Sequence, residues 1–247
     1  MTQKGAAPLT GSTLIHYERR DGVALVTIDR PERHNAVDGE TATVLLAAFE
    51  RFSSEDADVM VLTGAGGRAF CAGADLKAID TPDPDAPGGP MGFTRLSSPK
   101  PTIAAIDGHC LAGGLELALW CDLRVATPAS TFGCSERRWG VPLIDGGTQR
   151  LPRIVGQGRA LDLVLTGRTI DVHEAHAMGL VTRIVDPGAH VPAALALAED
   201  IARHPRETTN SDRRALLEAR GLAHEAELGR ARLATAHEGA QRFARRK

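Results

Sequence analysis

The sequence has almost no excess of charge of either sign. Its 29 basic and 31 acidic side chains leave a formal net charge of −2 over 247 residues. No block of about five or more like charges occurs, and the short basic run over 242–247 is typical of a solvated helix end. Because binding to nucleic acid or to anionic lipid needs a basic surface, the charge pattern argues against both partners.

Long apolar runs and paired cysteines are also missing. No stretch reaches the roughly 18 apolar residues that a membrane-spanning helix needs, and residues 1–11 lack the pattern of a secretion signal. The four cysteines are far apart in sequence: Cys71, Cys110, Cys121 and Cys134. We therefore expect buried thiols in a reducing compartment rather than a disulfide framework or a zinc site. These absences predict a cytoplasmic protein without a membrane span.

Strand-like and helix-like segments mingle along most of the chain. Two β-rich runs, 13–17 and 23–28, flank an Asp-Gly pair that is a strong hairpin signal. The Pro/Gly/Asp-rich segment 80–92 is typical of a surface loop near a functional site. After about residue 186 all patterns are helical. The sequence therefore predicts an α/β core over 12–186 and a helical C-terminal region over 187–247.

The most informative stretch runs from Ile106 to Ala118, where a β-rich run leads into a turn of small residues. A helix that starts at Gly113-Gly114 presents backbone N–H groups that no side chain shields, and its dipole favours a negative oxygen there. Glu116 follows within the same helical turn. An oxyanion donor so close to a carboxylate indicates an enzyme. The alternative is a glycine turn needed only for packing, with Glu116 complementing the helix dipole.

Two further segments extend this pattern. Residues 70–76 form a second small-residue turn with unshielded N–H groups. Glu136 follows Glu116 after a predicted strand and turn, so both carboxylates can reach one cavity. Two N–H donors and two carboxylates are what is needed to polarise a thioester carbonyl and move protons beside it.

In the order of its motifs the chain resembles the crotonase family, the enoyl-CoA hydratase/isomerase superfamily. The resemblance extends over essentially residues 12–245, and its matching segments are Gly67–Leu76, Lys100–Glu116, Glu136–Leu151, Leu165–Gly167 and Ala177–Val181. The resemblance implies a spiral of ββα units forming two sheets, followed by a helical C-terminal region that trimerises, often as a dimer of trimers. It also implies an acyl-CoA thioester as ligand, with no metal and no cofactor other than the CoA of the substrate.

The resemblance also implies roles for individual residues. Glu116 would deprotonate the water that attacks C3 of an enoyl-CoA, and Glu136 would protonate C2. The N–H groups of Ala74 and Gly113 would form the oxyanion hole. The remaining implied substrate contacts are Asp75 and Leu76 beside the thioester path, Ala72 next to them, and Arg33 at the CoA phosphates. The leading prediction is therefore an enoyl-CoA hydratase of fatty acid or related acyl-CoA metabolism.

Three positions near the second glutamate leave questions open. Ile144 stands where relatives have a small residue near the catalytic water. We expect Asp145 to cap the helix that begins near Gly146, although a third proton-handling carboxylate is the alternative. Trp139 is expected to pack in the core rather than to line the acyl pocket.

Two other functions fit parts of the pattern. The first is an enoyl-CoA or dienoyl-CoA isomerase with Glu136 as a single proton shuttle; Glu116 argues against it, because an isomerase needs no water-activating carboxylate. The second is a non-catalytic relative that binds acyl-CoA or RNA, which two intact glutamates and the lack of a lysine-rich face argue against.

The helical tail carries more apolar residues than a lone surface appendage needs. They are Leu216, Leu217, Leu222, Leu228 and Leu233. This pattern predicts that the tail packs between subunits in a homotrimer or a dimer of trimers.

Overall fold

An antiparallel hairpin opens the part of the chain, residues 13–245, that the computed structural model describes. Strand β1 (Ile15–Arg20) pairs with β2 (Val23–Ile28), and Asp21 in the turn between them adopts a φ of 48°. Aspartate tolerates this left-handed conformation better than most residues, which explains the Asp-Gly turn. The predicted hairpin is confirmed.

The other strands are short, and most of them pair in parallel. The order in the six-stranded sheet is β1-β2-β3-β5-β7-β10, and in the four-stranded sheet it is β4-β6-β8-β9. From β3 onward, three successive pairs of strands each place one strand in the first sheet and the next in the second. The chain therefore winds as a spiral between two sheets. The bounds are β3 (Val59–Gly64), β4 (Ala69–Cys71), β5 (Thr102–Ile106), β6 (His109–Leu111), β7 (Leu123–Ala126), β8 (Thr131–Gly133), β9 (Thr169–Asp171) and β10 (Arg183–Ile184).

Helices follow the strand pairs and then form the C-terminal part of the chain. Asp38 caps the first helix, because its side chain accepts a hydrogen bond from the N–H of Thr41. The last helical segment is divided into two helices at residues 231–232. The bounds are α1 (Gly39–Ser54), α2 (Gly113–Trp120), α3 (Gly147–Val155), α4 (Gln157–Thr166), α5 (Val172–Ala177), α6 (His190–Ala202), α7 (Arg206–Glu218), α8 (Leu222–Arg230) and α9 (Leu233–Ala244).

Two apolar clusters hold the layers together. The larger one fills the space between the sheets and under α1 and α2. The smaller one lies on the other face of the six-stranded sheet, where α6 buries Ala194, Leu197 and Ala198 against Val59 and Val61. Although the predicted C-terminal region begins at residue 187, α6 thus packs on the sheet of the core.

The helices after α6 are attached by ion pairs more than by apolar contacts. The Arg213 guanidinium of α7 donates to Asp122 at 2.8 Å and to the carbonyl of Ser98 at 2.8 Å. The apolar side chains of this region stay exposed, namely Leu216, Leu217, Leu222, Leu233 and Phe243. Within residues 13–245, no helix is long and apolar enough to cross a membrane.

Helix α2 approaches the four-stranded sheet more closely than any side chain would allow. A Cβ at Gly114 would lie only 2.0 Å from the carbonyl oxygen of Cys71, at the end of β4. Glycine at this position therefore sets how near the start of α2 lies to the segment that follows β4.

We predict that Gly114→Ala lowers the free energy of unfolding by about 1–3 kcal/mol or more, because backbone must move to admit the methyl group. The control is Gly158→Ala in α4, where a Cβ would meet nothing within 4 Å. That change should stabilise the protein by roughly 0.5–1 kcal/mol, since alanine favours a helix. Urea unfolding measures both values. Equal effects of the two substitutions would contradict this view of the α2 contact.

Candidate active site

A cavity of about 380 Å³ lies where the segments after β4, β6 and β8 come together. These three strands are parallel neighbours, so their carboxyl ends meet at one edge of the small sheet. Six of the residues proposed from the sequence border the cavity: Ala72, Ala74, Leu76, Gly113, Glu116 and Glu136. The strand order thus brings together residues that lie more than sixty positions apart.

The N–H groups of Ala74 and Gly113 have no hydrogen-bond acceptor within residues 13–245. Val37 donates to the carbonyl of Gly73 at 2.8 Å and accepts from the N–H of Asp75 at 2.9 Å. Because successive N–H groups of an extended segment point to opposite sides, the Ala74 N–H points away from Val37. Gly113 is the first residue of α2, where a helix offers its N–H groups no partner.

The two N–H groups belong to segments that touch each other. A Cβ at Gly73 would lie 2.8 Å from the nitrogen of Gly113. Ala112, just before the helix, adopts a φ of 53°, a conformation that favours glycine and costs free energy in alanine. This strained turn aims the start of α2 at the cavity, where the helix dipole favours a negative oxygen.

Glu116 is buried and held by backbone. Its Oε1 accepts hydrogen bonds from the N–H groups of Asp145 at 2.9 Å and Gly147 at 2.7 Å. A Cβ at Gly147 would lie 2.9 Å from the same oxygen, so only glycine admits this contact. Burial raises the pKa of Glu116 to about 7. Repulsion from Asp145 and Glu136 raises this pKa further, whereas the hydrogen bonds from the two N–H groups lower it. Near neutral pH both protonation states of this carboxyl are populated.

Glu136 lies in a short 3-10 helix, Ser135–Trp139, that follows β8. Its side chain is buried, and neither carboxyl oxygen has a hydrogen-bond partner within the described residues. Burial raises the pKa of this carboxyl above its ordinary value. A buried carboxyl without a partner that borders a cavity is able to exchange its proton with a ligand there.

Asp145 does not have the expected role as a helix cap. Helix α3 is preceded by Gly146 at a φ of 96°, and no side chain caps it. This left-handed turn directs the Asp145 carboxylate elsewhere: Oδ1 accepts from the N–H of Met91 at 3.2 Å and from the hydroxyl of Thr94. Asp145 is buried, and burial raises its pKa. The cap prediction is wrong, because the turn rather than the side chain starts the helix.

The expectation for Trp139 is also wrong. Trp139 is 71% exposed and borders the cavity, since the short 3-10 helix that carries it lies at the surface. The tryptophan of the core is Trp120, whose ring packs on Phe49 and Phe93 at centroid distances of 5.6 Å and 4.5 Å.

Two of the proposed substrate contacts lie away from the cavity wall. The carboxylate of Asp75 pairs with Arg30 at 3.3 Å and accepts from the N–H of Lys77 at 3.1 Å, which places it behind the Ala74 segment. Arg33 is exposed on the short 3-10 helix Pro31–Arg33. Their roles toward CoA stay predictions.

Several lining residues were not predicted individually. The loop segment contributes Pro82, Pro84, Pro90 and Met91 to the cavity wall, and Ser135 lies beside Glu136. The composition of the loop indicated that it lies near a site, but nothing in its sequence marks which side chains point inward. In residues 13–245, no group of three or more His, Cys, Asp and Glu side chains is arranged to hold a metal ion.

Two backbone N–H groups that have no acceptor in the described part of the chain border one cavity together with two buried carboxyls, an arrangement suited to acid–base chemistry on a carbonyl substrate. Comparison with known proteins gives the family. The chain belongs to the enoyl-CoA hydratase/isomerase family, whose model matches residues 18–246. The predicted crotonase family is thereby confirmed.

Relatives and solved structures agree with this assignment. The chain is 40% identical over 195 residues to an (E)-benzylidenesuccinyl-CoA hydratase of Thauera aromatica, covering 76% of each protein. It is 37% identical over 227 residues to a probable enoyl-CoA hydratase of Mycobacterium leprae, covering 86% of this chain and 85% of that one. The crystal structure of an enoyl-CoA hydratase from Mycobacterium tuberculosis superposes with a TM-score of 0.89 at 37% identity, over 96% and 97% of the chains. The crotonase-like fold is confirmed.

The raised pKa of Glu116 has a measurable effect on stability. A carboxyl whose pKa is higher in the folded than in the unfolded state contributes stability below its unfolded pKa and loses it as pH rises through the folded pKa, here about 7. Glu116→Gln keeps a neutral acceptor for both N–H groups. We therefore predict that the free energy of unfolding of the variant, relative to that of the wild type, increases by roughly 2–3 kcal/mol from pH 5 to pH 8.

Melting temperatures at the two pH values test this expectation. Glu50→Gln, on the exposed side of α1, is the control and should show the same difference from the wild type at both pH values. A pH-independent difference for Glu116→Gln would show that burial does not hold this carboxyl in its neutral form.

Proposed function

We propose that the protein is an enoyl-CoA hydratase that adds water across the 2,3 double bond of an enoyl-CoA thioester. The observation that carries the proposal is the way Glu116 is held. Two backbone N–H groups fix its Oε1, so the second oxygen is free to bind a water molecule in one orientation. The family and the hydratases among the relatives support the same assignment.

The proposed reaction uses groups of the chain alone. The thioester oxygen accepts from the N–H groups of Ala74 and Gly113, which stabilise negative charge as it develops there. Glu116 takes a proton from the water whose oxygen bonds to C3, and the electrons of the double bond move toward the thioester. Glu136 then gives its proton to C2, which restores the carbonyl. Loss of one oxyanion donor typically costs about 10²–10³ in rate, so backbone placement matters as much as either glutamate.

Each glutamate has the environment that its proposed step needs. A base works best when its pKa lies near the working pH, and burial gives Glu116 a pKa of about 7. Glu136, whose carboxyl oxygens have no hydrogen-bond partner among residues 13–245 and whose pKa is raised, is suited to keep the proton that it later donates. Repulsion between the two carboxyls favours the state in which only one is ionised.

The proposal extends to the substrate and its surroundings. The exposed Arg33 would meet the CoA phosphates, Ala72 and Leu76 would contact the thioester arm, and Asp75 would position this segment through Arg30. No cofactor is needed beyond the CoA of the substrate, since proton transfer and oxyanion stabilisation come from the protein. Cys71, Cys110, Cys121 and Cys134 are all buried free thiols, which supports a cytoplasmic location.

Glu136→Gln is predicted to lower the turnover of crotonyl-CoA by roughly 10²–10⁴, because the amide has no proton to give. The fold and the binding of CoA should be unchanged. The loss of thioester-conjugated absorbance follows the reaction. Near-normal turnover would remove Glu136 from the mechanism.

Variants of the two glutamates also distinguish a hydratase from the isomerase alternative. Glu116→Gln should abolish hydration, whereas an isomerase that shuttles one proton through Glu136 would keep most of its activity on a 3-enoyl-CoA. Glu50→Gln is again the matched control for both assays, since its side chain lies outside the cavity.

We further propose that the exposed apolar side chains of the helical tail are covered by neighbouring subunits in a trimer or a dimer of trimers. Leu216 is 77% and Leu222 is 82% exposed in the single chain, and leucines on the surface of a lone domain are rarely so clustered.

Light scattering should therefore give a mass near three or six times the 26.2 kDa of one chain. Leu216→Glu combined with Leu222→Glu should lower that mass, because charged side chains would be buried without partners. A monomeric mass for the wild type at micromolar concentration would contradict the proposal.

A further inference from the structure

Asp145 joins three parts of the cavity wall through three different groups. Its carboxylate Oδ1 accepts from the N–H of Met91 and the hydroxyl of Thr94, in the loop after residue 80. Its backbone N–H donates to Oε1 of Glu116. Its carbonyl accepts from Arg150 at 2.8 Å, and the same guanidinium donates to the carbonyl of Thr94 at 2.5 Å. The base, the loop and helix α3 are therefore tied together at one residue.

The loop that Asp145 holds also supports the start of α2. The Sδ of Met91 lies so near Gly113 that a Cβ there would be 2.8 Å from it. A carboxylate that fixes the Met91 N–H thus limits how far this thioether moves against Gly113. Asp145 is connected on one side to the proposed base and on the other side to the proposed oxyanion donor.

We propose that Asp145 is a positioning residue for hydration: it holds Glu116 in place relative to Gly113, and its negative charge acts on the neighbouring Glu116 carboxyl. The inference rests on the proposed function. It differs from a role as third catalytic acid or base, because the proposed action of Asp145 passes through Glu116 and the loop rather than through a proton given to or taken from the substrate. Aspartate is suited to the position since its short side chain reaches both donors while its own N–H faces the glutamate.

The charges around Glu116 and Asp145 indicate in which direction Asp145 changes the ionisation of Glu116. Glu116 faces the carboxyls of Asp145 and Glu136, the thiol of Cys134, and the guanidinium of Arg150. Asp145 itself also faces the guanidinium of Arg95, whose side chain binds the carbonyl of Ile144. A negative charge on Asp145 opposes ionisation of Glu116, so its removal makes Glu116 a carboxylate at lower pH.

Three variants separate the charge of Asp145 from its hydrogen bonds. Asp145→Asn removes the charge and keeps an acceptor for Met91 and Thr94. Thr94→Val removes one donor at nearly constant shape and keeps the charge. Asp145→Ala removes both charge and acceptor. The control is Asp186→Asn, a neutralised carboxylate in the exposed loop before α6.

The experiment measures kcat and KM of crotonyl-CoA hydration from pH 5 to pH 9. For Asp145→Asn we expect the acidic limb of kcat/KM to move to lower pH by about one unit, with kcat above pH 8 within about threefold of the wild type. Thr94→Val should lower kcat without moving that limb downward. Asp145→Ala should lower kcat by about tenfold or more with KM within about twofold, since Glu116 is no longer held in its position. Asp186→Asn should match the wild type.

The proposal would be overturned if the acidic limb of kcat/KM in Asp145→Asn lay at the same pH as in the wild type and Asp145→Ala had a normal kcat. So would a change in KM alone, which indicates a general structural role. Loss of about a hundredfold or more in Asp145→Asn at every pH would make Asp145 a catalytic acid or base instead of a positioning residue.

Melting temperatures of the same variants between pH 5 and pH 8 supply a readout that does not need activity. Without the neighbouring charge, Asp145→Asn should lose less stability than the wild type as pH rises through 7. If the wild type hydrates none of a panel of 2-enoyl-CoA thioesters that differ in the acyl chain, the proposed function fails. The melting data then decide the coupling of Asp145 to Glu116 separately, when Asp145→Asn is also combined with Glu116→Gln: an effect of Asp145→Asn on the pH dependence that is equal with and without Glu116→Gln would overturn it.

Discussion

Parallel pairing of three short strands is the constraint on which the rest of the cavity depends. Strands β4, β6 and β8 contribute only three residues each, yet their register places the chain segments that follow them side by side. Those segments carry Ala74, Gly113 and Glu136. Because hydrogen bonds between strands fix the register, no long side chain is needed to hold these segments together. The glycines of the turns then allow helix α2 to begin next to the end of β4.

Burial of carboxyls works against stability and in favour of chemistry. Glu116, Glu136 and Asp145 are all buried, and burial raises the pKa of each. The chain offsets this cost by giving Glu116 and Asp145 hydrogen bonds from its own backbone, whereas Glu136 receives none within the described residues. The apolar clusters between and outside the sheets provide the stability against which these groups are held. A site of this kind depends on a large, well-packed scaffold.

Much of the fold and part of the site followed from local signals in the sequence. The Asp-Gly turn, the Asp38 cap and the Gly113-Gly114 helix start are each decided by residues near one another, and the structure contains all three. The directions in which the side chains of Asp145 and Trp139 point were not predictable from local signals. The backbone at Gly146 turns Asp145 toward a loop fifty positions earlier, and the exposure of Trp139 depends on how a short surface helix meets the cavity. Contacts between distant segments leave no periodic pattern in a sequence.

The unpaired donors at Ala74 and Gly113 are main-chain groups, and this has a consequence for the evolution of the fold. Every amino acid except proline carries the same N–H, so side-chain replacement at these two positions cannot remove a donor. Only proline or a movement of the backbone can do so. The carboxyls are different, since a single nucleotide change can replace either glutamate. A lineage with this scaffold is therefore free to exchange its acids and bases while it retains the means to stabilise a negative oxygen, and new reactions on the same type of carbonyl need few substitutions.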